Sequence, residues 1–143
     1  MNEKVHKPLI EEEKQAAITA VRSSLEAHAD ISFAYLHGSF AAGSGFRDID
    51  IAAYLTHFPA SPLGHELRLE AELMKAVGGY PVDVRVLNNA PLSFRYNVIK
   101  GGLLLFARDD DERADFVERT LSAYFDFAPY RTLYLKETLG LGV

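Results

Sequence analysis

The chain of 143 residues contains no cysteine and no tryptophan. Without cysteine, disulfide scaffolds, thiolate metal centres and cysteine nucleophiles are all excluded. No apolar run approaches the ~18 residues of a membrane-spanning helix. The stretch from Met1 to Lys14 is charged and lacks the apolar core of a secretory signal. The expectation is a cytoplasmic protein with no membrane attachment. Long basic runs are missing as well. Lys plus Arg number 15 against 20 Asp plus Glu, a formal net charge of −5. Such an acidic chain is poorly suited to gripping nucleic acid without sequence preference, so no direct nucleic-acid partner is expected. There is no repeat, low-complexity segment or long linker, and the length predicts one domain over residues 1–143.

What is present alternates between two periods. Ile10, Ala17, Val21 and Leu25 recur at helical spacing and predict a helix from Leu9 to Ala29, with Glu11, Glu12 and Glu13 in its first turn. Ile31 to Leu36 is an apolar, strand-like run ended by Gly38. Asp48 to Leu55 alternates, with Ile49, Ile51, Ala53 and Leu55 on one side and Asp48, Asp50, Ala52 and Tyr54 on the other. Ser61-Pro62 predicts a capped helix start, Leu63, Leu67, Ala71, Met74 and Val77 a buried stripe, and Gly78-Gly79 its end. Val82, Val84 and Val86 form one face of a third strand that carries Asp83 and Arg85 on the other.

Pro91 opens a short helix ending at Gly101-Gly102, and Leu103 to Ala107 reads as a fully buried strand. Asp109 and Glu112 have capping-box spacing for a last helix, whose expected stripe is Ala114, Val117, Leu121 and Tyr124. Pro129 is expected to kink or end it. This order predicts an α+β fold, one small mixed sheet packed with helices.

Three acids occupy positions where acids are disfavoured, since Asp is depleted in strands. Alternation puts Asp48 and Asp50 on one sheet face, about 7 Å apart from two rises of ~3.3–3.4 Å. Asp83 joins them if its strand pairs alongside. Three uncompensated carboxylates would raise one another's pKa values, and a hard divalent cation such as magnesium relieves that crowding. The plainer alternative is a solvated sheet face, or pairing with Arg47 and Arg85. Gly38 and Ser39 follow a strand directly and offer amides and a hydroxyl to an anion, or simply make a tight turn. His28, His37, His57 and His65 show no metal-ligand spacing, Ser23 and Ser24 have no base beside them, and Tyr124, Phe125, Phe127, Tyr130 and Tyr134 read as core or partner interface.

In combination, Leu36-His37-Gly38-Ser39-Phe40-Ala41-Ala42-Gly43, then Asp48-Ile49-Asp50-Ile51-Ala52, then Val82-Asp83-Val84, resemble the signature of the polymerase-β-like nucleotidyltransferase superfamily. The fit is nearest to the minimal nucleotidyltransferases, the MntA-like antitoxins of HEPN/MNT toxin–antitoxin systems, and continues less specifically through Pro91, Arg95, Tyr96, Gly102 and Leu103. One departure is visible. The loop between Ser39 and Asp48 holds eight residues, Phe40 to Arg47, shorter than is usual in the superfamily, and Arg47 stands where a small polar residue is common.

The resemblance implies a polymerase-β-like nucleotidyltransferase fold and transfer of AMP from ATP to a hydroxyl. Asp48 and Asp50 would ligate two Mg2+ ions, while Asp83 would ligate one and act as general base. Gly38 and Ser39 would hold the nucleotide phosphates. It implies as acceptor a tyrosine of a cognate HEPN toxin, silenced by AMPylation. A small-molecule nucleotidyltransferase of aminoglycoside type would use the same triad, and a non-catalytic antitoxin would act by binding alone. The acceptor residue, nucleotide preference, number of AMP units and homo- or hetero-oligomeric state are not legible in the sequence.

Overall fold

The computed structural model describes residues 4–139, with side chains described through Asp126. Five helices and four strands alternate: α1 (Glu11–Glu26), β1 (Ile31–His37), α2 (Gly38–Ala41), β2 (Ile49–Leu55), α3 (Pro62–Ala76), β3 (Val82–Val86), α4 (Leu92–Gly101), β4 (Leu103–Ala107) and α5 (Asp110–Leu139). The strands form one mixed sheet in the order β3-β2-β1-β4. β1 pairs antiparallel with β2 and β4, while β2 and β3 run parallel. A parallel pair needs a crossover between its strands, and α3 supplies it.

The sheet is covered on both faces. On one face Ile31, Leu36, Ile51, Val84 and Leu105 join Val21 and Leu25 of α1 and Leu69 and Leu73 of α3. On the other face Phe33, Tyr35 and Ala52 meet Val98 of α4 and Phe116 of α5. Alternation along β1 sends Ala34 and Leu36 to the first layer and Phe33 and Tyr35 to the second, after a register irregularity between Ile31 and Phe33. The expected α+β architecture is present, with each strand bearing two apolar faces or one apolar and one functional face.

Several local expectations are corrected. α1 is shorter than Leu9 to Ala29, and β2 begins at Ile49, leaving Asp48 just before it. Ser61 does cap α3, its hydroxyl accepting from Gly64 N at 3.3 Å, but the stripe Leu63, Leu67, Ala71 and Met74 faces outward. Leu63 is 65% and Leu67 55% exposed, while Leu69 and Leu73 carry the buried face. β4 is an edge strand rather than fully buried, with Leu103 47% exposed. In α5, Asp109 accepts from Glu112 N at 3.1 Å as the capping spacing predicts. Among its described side chains the fully buried ones are Phe116 and Thr120; Val117 of the expected stripe packs partly buried against the core, while Ala114 is exposed. α5 does not end at Pro129 but runs on to Leu139. Tyr124 stacks on Tyr96 with ring centroids 3.7 Å apart, and the expectation for Phe127, Tyr130 and Tyr134 lies outside the described side chains. No helix among the described residues is long and apolar enough to cross a membrane.

Candidate active site

The end of the sheet where β1 stops and β2 and β3 start brings the acids together. In the parallel pair Asp50 lies directly opposite Asp83, on neighbouring strands ~4.8 Å apart. Across the antiparallel pair, His37 lies opposite Asp50. Both carboxylates point away from the face that buries Ile49, Ile51, Val82 and Val84, as the period of two requires.

The turn after β1 is shaped around Asp50. Gly38 has φ +78°, the left-handed region that disfavours side chains. A Cβ at this position would also overlap Asp50 Oδ2. Both observations require glycine, and together they let the Asp50 carboxylate lie against the Gly38-Ser39 backbone. The one-turn helix α2 follows, its end held by Lys14 Nζ donating to Ala41 O at 3.2 Å. The N-terminal segment closes over the next loop, where His6 N donates to Phe46 O at 2.7 Å and Phe46 N to His6 O at 3.0 Å.

Electrostatics mark Asp50 as the crowded member. Its carboxyl is pushed up to about 6, first by burial and then by the charges of Asp83 and Asp48, with Arg85 opposing. Among the described residues no three acidic or histidine side chains form a ready metal cage. An open set of carboxylates nevertheless suits magnesium, which keeps waters and substrate phosphate oxygens in its shell. The donor chemistry therefore fits a divalent cation shared with a nucleotide. Arg85 Nε lies 3.7 Å from Asp83 Oδ2, but both side chains are more than a third exposed, so the pairing alternative is partly realised and weak.

Two cavities flank the acids. The smaller, about 340 Å³, is lined by Ser39, Arg47, Asp48 and Asp50 together with Val5 and Gly45. The larger, about 540 Å³, opens on Asp83 and Arg85 and is bounded by Glu66 and Glu70 of α3, with Phe58, Leu63 and Phe94 among its apolar walls.

Three residues escaped the sequence reading. Glu70 Oε2 accepts from Val84 N and Glu66 Oε2 from Val86 N, each at 2.8 Å. These glutamates, one helical turn apart, occupy the free edge of β3 as a neighbouring strand would, which is why an edge strand tolerates this position. Burial raises the Glu70 carboxyl, the Val84 amide pulls it back, and Asp83 and Glu66 add to the rise. The readable signal was the spacing of Glu66 and Glu70 before an Asp-bearing strand. His37, which shows no metal-ligand spacing in the sequence, stands at the site with its ring edge-on to Phe94. Its Nε2 is buried without a partner, and burial lowers its pKa.

Residues 20–111 match the family model described as polymerase beta, nucleotidyltransferase. No curated protein matches the chain in sequence. Among solved structures, one similar chain comes from the complex of a tri-AMPylated Shewanella oneidensis HEPN toxin with its MNT antitoxin. It shares 21% identity at a TM-score of 0.68, covering 88% of this chain and 98% of that one. A chain of an MntA toxin–antitoxin complex carrying a point mutation shares 23% identity at a TM-score of 0.66, covering 92% and 99%. A chain of a toxin–antitoxin structure with AMP-PNP also shares 23% identity at 0.66, covering 88% and 98%. At these identities the likeness is one of fold.

Proposed function

The chain belongs to the polymerase-β nucleotidyltransferase family, and from that premise we propose that it is a magnesium-dependent protein adenylyltransferase acting as an antitoxin. It transfers AMP from ATP to a tyrosine hydroxyl of a cognate HEPN toxin, with residues 1–143 serving as one nucleotidyltransferase domain. The observation that carries this reading is the pairing of Asp50 with Asp83 in register, with Gly38 shaped around Asp50. A sheet face without ligands has no use for a carboxylate held up by burial and by the charges of two neighbouring carboxylates, as Asp50 is.

In this reading Asp48, Asp50 and Asp83 hold the magnesium ions, which when bound supply charge neutralisation for the triphosphate and the departing pyrophosphate. Gly38 and Ser39 hold phosphate oxygens through a backbone amide and a hydroxyl, and Arg47 adds a positive charge to the same cavity. Asp83 accepts the proton of the acceptor hydroxyl. The hydroxyl oxygen bonds to the α-phosphorus as the bond from that phosphorus to the β-phosphate oxygen breaks. AMP is left on the acceptor and pyrophosphate departs. AMP on a tyrosine adds bulk and negative charge, which is sufficient to block a neighbouring RNase site.

Intact-mass measurement tests this directly. The protein, its proposed HEPN-toxin partner, ATP and magnesium are incubated together. The partner is expected to gain one or more AMP residues, and none when Asp48→Asn and Asp50→Asn are combined. A partner that is inhibited but never modified would sink the catalytic reading in favour of binding alone. AMP found on a free small molecule instead would favour an enzyme of the aminoglycoside type.

A further inference from the structure

The two cavities beside the carboxylates differ in charge, and the difference assigns them different ligands. The smaller holds Arg47 and Ser39 beside Asp48 and Asp50. The larger sets Glu66, Glu70 and Asp83 against a single arginine, Arg85, and that arginine lies against Asp83. Both glutamates therefore remain without a cationic partner at the cavity wall. Each has one oxygen on a β3 amide, which fixes the carboxylates in place; Glu70 is also hydrogen-bonded to Asp83, so Glu66 is the one left for a visitor to the cavity it lines. A triphosphate would be repelled from such a wall. A neutral hydroxyl flanked by a positive charge would be attracted.

Shape narrows the ligand further. The volume of about 540 Å³ lies in the range of pockets that enclose a small organic group, ~300–1,000 Å³. Phe94 presents a ring on which Arg85 sits, with Cζ 5.8 Å from the centroid. Phe58, 48% exposed, and Leu63, 65% exposed, make an apolar rim. An apolar slot with one carboxylate for a hydroxyl matches a phenol, which is apolar along its ring and polar at its tip. A serine side chain would leave these walls unfilled. The rim continues along the outward stripe of α3 through Leu67, 55% exposed, to Met74, 37% exposed. A surface of that length serves a polypeptide rather than a free small molecule.

We propose that the larger cavity is the acceptor subsite, that it takes a tyrosine side chain from a segment carrying a basic residue beside the tyrosine, and that Glu66 reads this positive charge. The inference rests on the adenylyltransferase reading above and specifies its acceptor. Glu66 is the informative residue because its backbone bond is to Val86, a turn away from Asp83.

The test uses the full chain with ATP, magnesium and two synthetic peptides, identical except that the tyrosine is flanked by lysine in one and glutamate in the other. AMP transfer is read by mass. The wild type is expected to prefer the lysine peptide by about tenfold. Glu66→Gln keeps a carbonyl oxygen for Val86 N but removes the charge, and should cut the preference to about threefold or less. Equal use of the two peptides, or a preference that Glu66→Gln leaves intact, overturns the proposal. So does transfer to neither peptide by an enzyme that still binds ATP with magnesium. Wild type that shows no magnesium-dependent ATP binding sinks the underlying enzymatic reading instead. As a second variant, Leu63→Trp narrows the cavity at an exposed position and should raise KM for the lysine peptide severalfold. If it weakens ATP binding instead, the cavity holds the nucleotide base and the proposal fails.

Discussion

Gly38 is the position where one methyl group decides the site. Its φ of +78° and the overlap that a Cβ would make with Asp50 Oδ2 act together. Gly38→Ala is expected to cost about 1–3 kcal/mol in backbone strain and to push Asp50 off its place opposite Asp83. Calorimetry should show magnesium-dependent ATP binding lost while circular dichroism shows the fold retained. Unchanged binding would mean that Asp50 does not need its seat against the turn. Asp50 also predicts a pH dependence. Its folded carboxyl is raised to about 6 from an ordinary value of 3.8, so between those values the folded state binds more protons than the unfolded one. This contribution to stability is present below about 4 and is lost as pH rises through 6. Cation binding has the opposite sign, because the proton must leave first. ATP affinity in magnesium should therefore fall as pH drops from 7 to 5, with proton release on binding half-maximal near 6 and larger below it. A flat affinity across that range would remove Asp50 from the metal site. Alternation made the face of Asp50 and of Asp83 legible, while their pairing depends on strand order and Asp48 lies just before β2. Glu66, Glu70 and His37 were not legible, because their roles depend on neighbours distant in sequence.

α3 shows how an element can be recognised and still be turned the wrong way. Its cap, proline and glycine stop are local signals, and they were readable. Its orientation was not, because the helix carries apolar residues on two sides, and periodicity cannot say which side meets the sheet. The glutamates decide it. Glu66 and Glu70 reach the β3 amides only if Leu69 and Leu73 face inward, which turns Leu63, Leu67 and Met74 to the outside. Truncation separates the two stripes. Leu73→Ala should cost about 2–5 kcal/mol in chemical denaturation, whereas Leu67→Ala should stay within about ±0.5 kcal/mol. Comparable losses from both would show that the outer stripe is packed in solution. The same limit applies to β4 and α5. Apolar composition suggested burial for Leu103 and Ala114, but β4 is an edge and α5 docks through Phe116 and Thr120.

At the scale of the molecule, the sheet-and-helix architecture and the element order, the one-turn α2 apart, were legible from the two hydrophobic periods, the turn residues between them and the caps Ser61 and Asp109. Strand order was not, since nothing local says that β1 lies between β2 and β4 or that β3 takes an edge. That order has a bearing on when the protein becomes competent during synthesis. Asp50 and Asp83 belong to the parallel pair, which closes across the whole of α3. Non-local pairings of this kind form late, after their loop-closure entropy has been met. A ribosome that has released only the segment through β2 has made the glycine turn and two of the acids, yet no complete site. With nucleotide held as proposed, the chain engages it during synthesis only once α3 has crossed and β3 has emerged, and nucleotide capture would report that the edge of the sheet has closed.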